Sequence, residues 1–173
     1  SRKNGWVTQE VKRNYLEINS FKDLKDVKQP IGNFSVKLLN PSNFQLNKFF
    51  YKTIGKNHRW IDRLVWSDDQ WIDYVSKKKV KTYIFKHNED LLGFFELIFH
   101  NEKKETEIAY LGLLEEQQNK KLGSYLLSQA IKKSFLHNIN RVWVHTCSLD
   151  HKNALNNYIA RGMKIFKIEN VRI

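Results

Sequence analysis

The hydrophobic period of this chain changes from strand to helix near residue 115, and that change governs what the chain can fold into. Residues 80–86 alternate as a strand, His87-Asn88-Glu89-Asp90 reads as a turn, and 91–99 reads as a second strand. After another turn at 101–104, the run Glu107-Ile108-Ala109-Tyr110-Leu111-Gly112-Leu113-Leu114 is almost wholly apolar, which marks a strand central to a sheet. Leu122, Leu126, Leu127, Ala130 and Ile131 then share one face of a helix over about 120–136. Residues 141–147 read as a strand, 152–160 as a short helix stopped by Gly162, and 163–168 as a closing strand. Upstream, Pro41-Ser42-Asn43 starts a helix carrying Phe44, Phe49, Phe50 and Ile54, and Ser67-Asp68-Asp69-Gln70 is a capping box opening a helix to about Ser76. This order predicts an α+β domain with a mixed, largely antiparallel sheet flanked by helices. No linker-like stretch interrupts it, so a single domain is expected over 1–173.

The formal net charge is +12 on 173 residues, which draws attention to anionic partners. Yet the excess is 23 Lys against 7 Arg, spread along the whole chain, alongside 17 Asn and only 4 Ala. That pattern fits a genome rich in A and T better than a nucleic-acid surface, for which Arg is the usual choice. Nucleic-acid binding is therefore disfavoured. One Cys excludes a disulfide framework, and no apolar run is long enough to span a membrane or serve as a signal peptide, so a cytoplasmic protein, monomer or homodimer, is expected.

The segment 111–127, LGLLEEQQNKKLGSYLL, carries the most chemistry. A buried strand passes through a short polar loop directly into a helix, so residues 118–124 present unpaired backbone N–H groups at the positive end of the helix dipole. Gly123 lets a ligand approach the backbone, and Lys120 and Lys121 add charge. On these residues alone, an anion site and close helix–strand packing both remain open.

Two spaced motifs settle on a resemblance. Gln118-Asn119-Lys120-Lys121-Leu122-Gly123-Ser124 is similar to the pyrophosphate loop, Gln/Arg-x-x-Gly-x-Gly/Ala, of the GNAT superfamily of acetyl-CoA-dependent N-acetyltransferases, with Lys121 where the family usually has Gly. The run from His151 to Met163 resembles the family's later Asn-x-x-Ala-x-x-x-Tyr-x-x-x-Gly-Phe pattern, with His151 for Asn and Met163 for Phe. The strand from Glu107 to Leu113 precedes the loop as it does in the family. The resemblance covers about half of the chain; it implies an acetyl-CoA-binding core over 80–173 and an acceptor side over 1–79.

The resemblance further implies direct transfer of acetyl from acetyl-CoA to a primary amine in a ternary complex, without a metal. Gln118, Asn119, Lys120, Lys121, Leu122, Gly123, Ser124 and Asn153 would hold the cofactor, with the backbone N–H groups of Leu111 and Leu113 on its acyl end. If the loop needs φ > 0 at Lys121 the lysine is strained, and otherwise its N–H serves at ordinary helical angles; in either case the loop is expected to work. Glu107 matches the position of the base in some members, with Glu96 on the neighbouring strand as its rival, and Tyr158 matches the acid facing the leaving thiolate.

Outside the motifs, Trp60, Asp62 and Arg63 form a cluster suited to a cationic amine acceptor, or to an aromatic core with an ion pair. His145, Cys147 and His151 have spacing reminiscent of a metal or thiol site, but Cys147 reads better as a small buried hydrophobe. The alternative from another class is a CoA-binding or nucleic-acid-binding regulatory domain without turnover.

Overall fold

A computed structural model describes residues 2–3, 6–115, 121–150 and 153–173, with side chains from Thr8 onward. The described strands are β1 (Arg2–Lys3), β2 (Trp6–Val7), β3 (Glu10–Ile18), β4 (Phe34–Leu38), β5 (Val80–His87), β6 (Asp90–His100), β7 (Glu105–Leu113), β8 (Arg141–Cys147) and β9 (Lys164–Arg172). The described helices are α1 (Phe44–Gly55), α2 (Asp68–Ser76), α3 (Leu122–Ser134) and α4 (Ala154–Ala160), and β1 pairs only with β2.

Seven strands form one sheet in the order β4-β5-β6-β7-β8-β3-β9, and every pair except β7–β8 is antiparallel. This is the mixed, largely antiparallel sheet that the alternation over 80–114 and the later helices predict. The meander β5-β6-β7 lies where the turns at 87–90 and 101–104 put it. The capping box of α2 has both halves, Gln70 N–H donating to Ser67 Oγ and Ser67 N–H donating to Gln70 Oε1.

Two strands were not legible as such. β3 mixes Lys, Arg, Asn and Glu with its apolar residues without a clean period of two, and β4, Phe34-Ser35-Val36-Lys37-Leu38, alternates cleanly but over only five residues. β3 reaches its place by long-range pairing: it lies between β8 and β9, with Leu16 opposite Val144 on one side and Ile165 on the other. The closing strand β9 is thereby pushed to the outer edge and runs on to Arg172.

Each face of the sheet buries its own cluster. α3 lays Leu122, Leu126, Leu127, Ala130 and Ile131 against Phe95, Leu97, Ile108, Val142 and Val144. On the other face, Phe50 and Ile54 of α1 meet Ile84, Phe94 and Leu114, with Trp60 and Tyr110 packed beside them. The connection from β3 to β4 crosses under α4, where Lys25 N–H donates to Arg161 C=O. Gly162 permits this crossing: its φ is +105°, and a Cβ there would stand 2.3 Å from the Asp23 carbonyl oxygen.

Candidate active site

β7 and β8 stay paired only at Glu105–Arg141, Thr106–Val142 and Glu107–Trp143. Beyond Glu107 the two strands part. A cavity of about 320 Å³ opens in the gap and runs from the α3–α4 face of the sheet to the α1 face. Parallel strands joined through a helix need not remain in register along their whole length, and here the helix α3 starts at the point of the split.

The wall from β7 offers backbone donors. Leu114 N–H donates to Leu92 C=O across to β6 at 2.8 Å. Donors in an antiparallel ladder alternate sides, so the N–H groups of Leu111 and Leu113 point away from β6, toward the gap. Both residues line the cavity.

The α3 wall is built around an uncapped helix start. Among the described residues no side chain caps α3, and its N-cap residue Lys121 sits at φ 58°, ψ 6°, in the left-handed region. Of the two conformations open to Lys121, the structure has the strained one, with φ > 0. The backbone keeps the conformation that glycine would adopt freely, and the lysine bears the strain. Gly123 lines the cavity, and a Cβ added there would meet only Leu113 Cδ1 at 3.8 Å and Asn157 Nδ2 at 4.0 Å. Those are ordinary contacts, so packing of helix on strand does not require glycine here, and the space in front of its backbone is open. Leu122 turns its side chain into the core, leaving its backbone to the loop, while Lys121, Ser124 and Asn153 line the cavity. Gln118, Asn119, Lys120 and His151 lie outside the described residues.

α4 closes this side. Asn157 donates through Nδ2 to the Gly123 carbonyl at 3.2 Å, and its Oδ1 is buried with no partner among the described residues. Tyr158 is buried against the core and lines the cavity; burial, with the nearby charge of Asp150, raises its pKa, so its hydroxyl stays protonated. An orphaned amide oxygen, a glycine fronting open space and an uncapped helix start suit a ligand with both anionic and amide groups.

The opposite mouth is formed by the segment after α1 and by β8. Trp60 packs edge-on against Tyr110 with ring centroids 4.7 Å apart, and Asp62 is exposed at the rim. His145 of β8 lines the cavity, is exposed to solvent, and has its ring 5.5 Å from that of Tyr15. The protein packed around His145, together with the charge of Arg13, lowers its pKa against the opposing pull of Glu107, Asp150 and Asp62. His145 is accordingly neutral near pH 7 and able to accept a proton. His58 Nδ1 lies 3.9 Å from Asp150 Oδ1, and Asp150 also accepts from Thr146 Oγ1 and from Cys147 N–H. Burial and Asp150 raise the Cys147 pKa, so this residue is a thiol and not a nucleophilic thiolate.

Three expected site residues stand elsewhere. Arg63 is 6% exposed and withdrawn from the cavity; its guanidinium pairs with Glu96 instead of facing an acceptor. Glu96 is 0% exposed and wholly engaged by donors, which takes it out of contention as a base. Glu107 is not among the cavity walls; it lies 3.3 Å from His100 Nε2, beside the part of β7 that remains paired. Conversely, Arg13 and His58 line the cavity without any sequence signal, because neither belongs to a motif and both arrive through long-range packing. His145 and Asp150 were visible only as a rejected metal or thiol cluster.

No helix among the described residues is long and apolar enough to cross a membrane. No curated protein matches the sequence. Among solved structures, a GCN5-related N-acetyltransferase from Sphaerobacter thermophilus superposes with a TM-score of 0.70 at 10% identity, covering 94% of this chain and 50% of its own. A functionally unknown conserved protein from Staphylococcus epidermidis gives 0.66 at 16% identity, over 95% of this chain and 61% of that one. An aminoglycoside acetyltransferase, meta-AAC0020, from an uncultured soil metagenomic sample gives 0.61 at 10% identity, over 75% of this chain and 87% of that one. The chain thus spans between half and two thirds of the length of the first two, and these likenesses establish the fold. The sequence profile of the Acetyltransferase (GNAT) family matches residues 43–163, from the cap of α1 through α4, and the chain belongs to that family.

Proposed function

We propose that this chain transfers acetyl from acetyl-CoA to a primary amine, directly and within a ternary complex. The observation that carries this reading is the parting of β7 from β8, which joins a helix start suited to a diphosphate with a mouth suited to an amine. The cofactor supplies an acetyl thioester. The chain supplies everything else. N–H groups of Leu122, Gly123 and Ser124 and the ammonium of Lys121 hold the diphosphate, and Asn157 Oδ1 and Asn153 meet the amide-bearing arm. The N–H groups of Leu111 and Leu113 keep the arm straight and polarise the acyl oxygen.

An ammonium cannot attack a carbonyl, so its proton must first go to a base. His145 fits that role better than either carboxylate: it lines the cavity and is held neutral, whereas Glu107 meets His100 and Glu96 meets Arg63. Tyr158 keeps a proton ready for the departing sulfur. Trp60 and Asp62 receive the acceptor, the carboxylate opposite its charge and the ring against its carbon chain. Thiol release from acetyl-CoA across a panel of amines tests the proposal. Tight cofactor binding without release for any amine would turn the reading toward a CoA-binding regulatory domain.

A further inference from the structure

A charged residue placed in the core of a small domain calls for a reason, and Arg63 has an unusual setting. Its guanidinium carbon lies 4.1 Å from the Tyr74 ring centroid, 4.4 Å from Tyr110 and 4.7 Å from Trp66, with Tyr51 and Trp71 completing the cage. Nη1 donates to both oxygens of Glu96, at 3.1 and 3.0 Å. Burial works against the cation, but Glu96 with Tyr74 and Tyr110 more than restores it, holding its pKa above the ordinary arginine value. Glu96 in turn accepts from Asn47 Nδ2 of α1 at 2.9 Å and from Tyr74 OH of α2 at 3.0 Å. Asn47 also donates to Thr82 Oγ1 of β5. The Arg63 backbone N–H donates to Tyr51 OH at 2.9 Å. One carboxylate in the middle of β6 therefore gathers α1, α2 and the segment that joins them.

That joining segment, residues 56–66, has no ladder or helix of its own to fix its shape. Its backbone bonds are short turns, such as Trp60 N–H to Gly55 C=O and Trp66 N–H to Arg63 C=O. Within it, His58, Trp60 and Asp62 form the acceptor mouth, and Asp62 is the immediate neighbour of Arg63. Apolar residues of similar volume often match a buried ion pair in stability, so stability alone does not account for the pair. What the pair supplies is direction, because a planar guanidinium stacked in a cage and aimed at one carboxylate admits a single seating.

We infer that Arg63 is a positioning residue, docking in the Glu96-centred aromatic cage so that Trp60 and Asp62 are held at a fixed distance from His145. The acceptor part of this inference rests on the acetyl-transfer reading; the docking of the segment does not.

The test replaces the pair by Arg63→Met with Glu96→Leu, with Tyr74→Phe as a milder variant that keeps both charges. Three quantities are read: hydrogen exchange of the amides over 57–66, acetyl-CoA affinity, and the acceptor KM against kcat. The expected result is selective loss of exchange protection over 57–66, unchanged acetyl-CoA affinity, and an acceptor KM raised roughly 10- to 100-fold in the double variant, as displacement of positioning groups by about 1 Å produces. Tyr74→Phe should move the same quantities in the same direction by less. Protection over 57–66 that persists in both variants overturns the inference, as does a fall in acetyl-CoA affinity equal to the rise in acceptor KM. If the unaltered protein turns over no amine, the acetyl-transfer reading fails, and the exchange measurement still decides whether Arg63 fixes the segment.

Discussion

Asn157 donates its side-chain N–H to the carbonyl of Gly123 at 3.2 Å, tying α4 to the first turn of α3 across the cavity floor. The same side chain keeps its Oδ1 buried, without a partner among the described residues. The two motifs of the sequence meet at this contact.

Gly123→Ile should therefore act on binding and not on folding. The Cβ meets only ordinary contacts, and removing glycine from a helix is favourable by about 0.5–1 kcal/mol. A branched side chain in the space before the backbone should cost about 2 kcal/mol of cofactor affinity, roughly 30-fold in Kd. Calorimetric titration with acetyl-CoA beside a thermal melt checks both halves. Unchanged affinity would show that the cofactor is held elsewhere.

Tyr158→Phe removes one hydroxyl and leaves the ring packed in the core. If the hydroxyl protonates the departing sulfur, kcat should fall roughly 100-fold with acetyl-CoA affinity preserved. Steady-state rates and a binding isotherm distinguish this from a packing defect, which would lower both together with Tm.

The histidine assignment has a definite pH signature. A base must be neutral to work, so activity should rise with pH through the His145 pKa, and that limb should lie below the ordinary histidine range. The sign carries over to stability: His145 binds a proton less readily folded than unfolded, so stability is lost as pH falls from the ordinary histidine value toward the lower folded one. In His145→Gln the acidic limb of the rate profile should vanish with the rate itself strongly reduced. A limb that survives in this variant excludes His145 as the base.

Lys121 holds a left-handed conformation that costs a non-glycine residue about 1–2 kcal/mol, part of which glycine would return as chain entropy. Lys121→Gly should accordingly raise stability by roughly 0.5–1 kcal/mol, or about 2 °C in Tm for a domain of this size. Lys121→Ala keeps the strain and removes only the ammonium, so its effect on acetyl-CoA affinity isolates the charge. A lower Tm in the glycine variant would contradict the strain.

Local pattern and long-range packing divided the work of specifying this molecule. The meander, α3, α4 and the capping box of α2 were readable because each depends on neighbours a few residues away, as Ser67 and Gln70 do. The α3–α4 wall of the cavity was readable for the same reason, since Gly123 and Tyr158 sit in compact motifs. The acceptor side was not. Arg63 beside Asp62 looks like surface charge in one dimension, and only the arrival of Glu96 from a strand 33 residues away turns it inward. Glu107 opens the apolar strand, yet the strands have not parted where it stands, so its carboxylate never reaches the gap. The pKa of His145 is lowered first by the protein packed around it and then by Arg13 of β3, both of which come from distant parts of the chain.

The placement of β3 bears on how this fold comes into being. β3, the first strand of the seven-stranded sheet in chain order, pairs with β8 and β9, the last two strands of the sequence, so both of its pairings close long loops. Pairings of such separation are slow, since the loop must be closed before any contact rewards it. A shortened chain limited to the family-matched residues 43–163 would lack β3, β4 and β9, leaving β8 with a bare edge open to association with other chains.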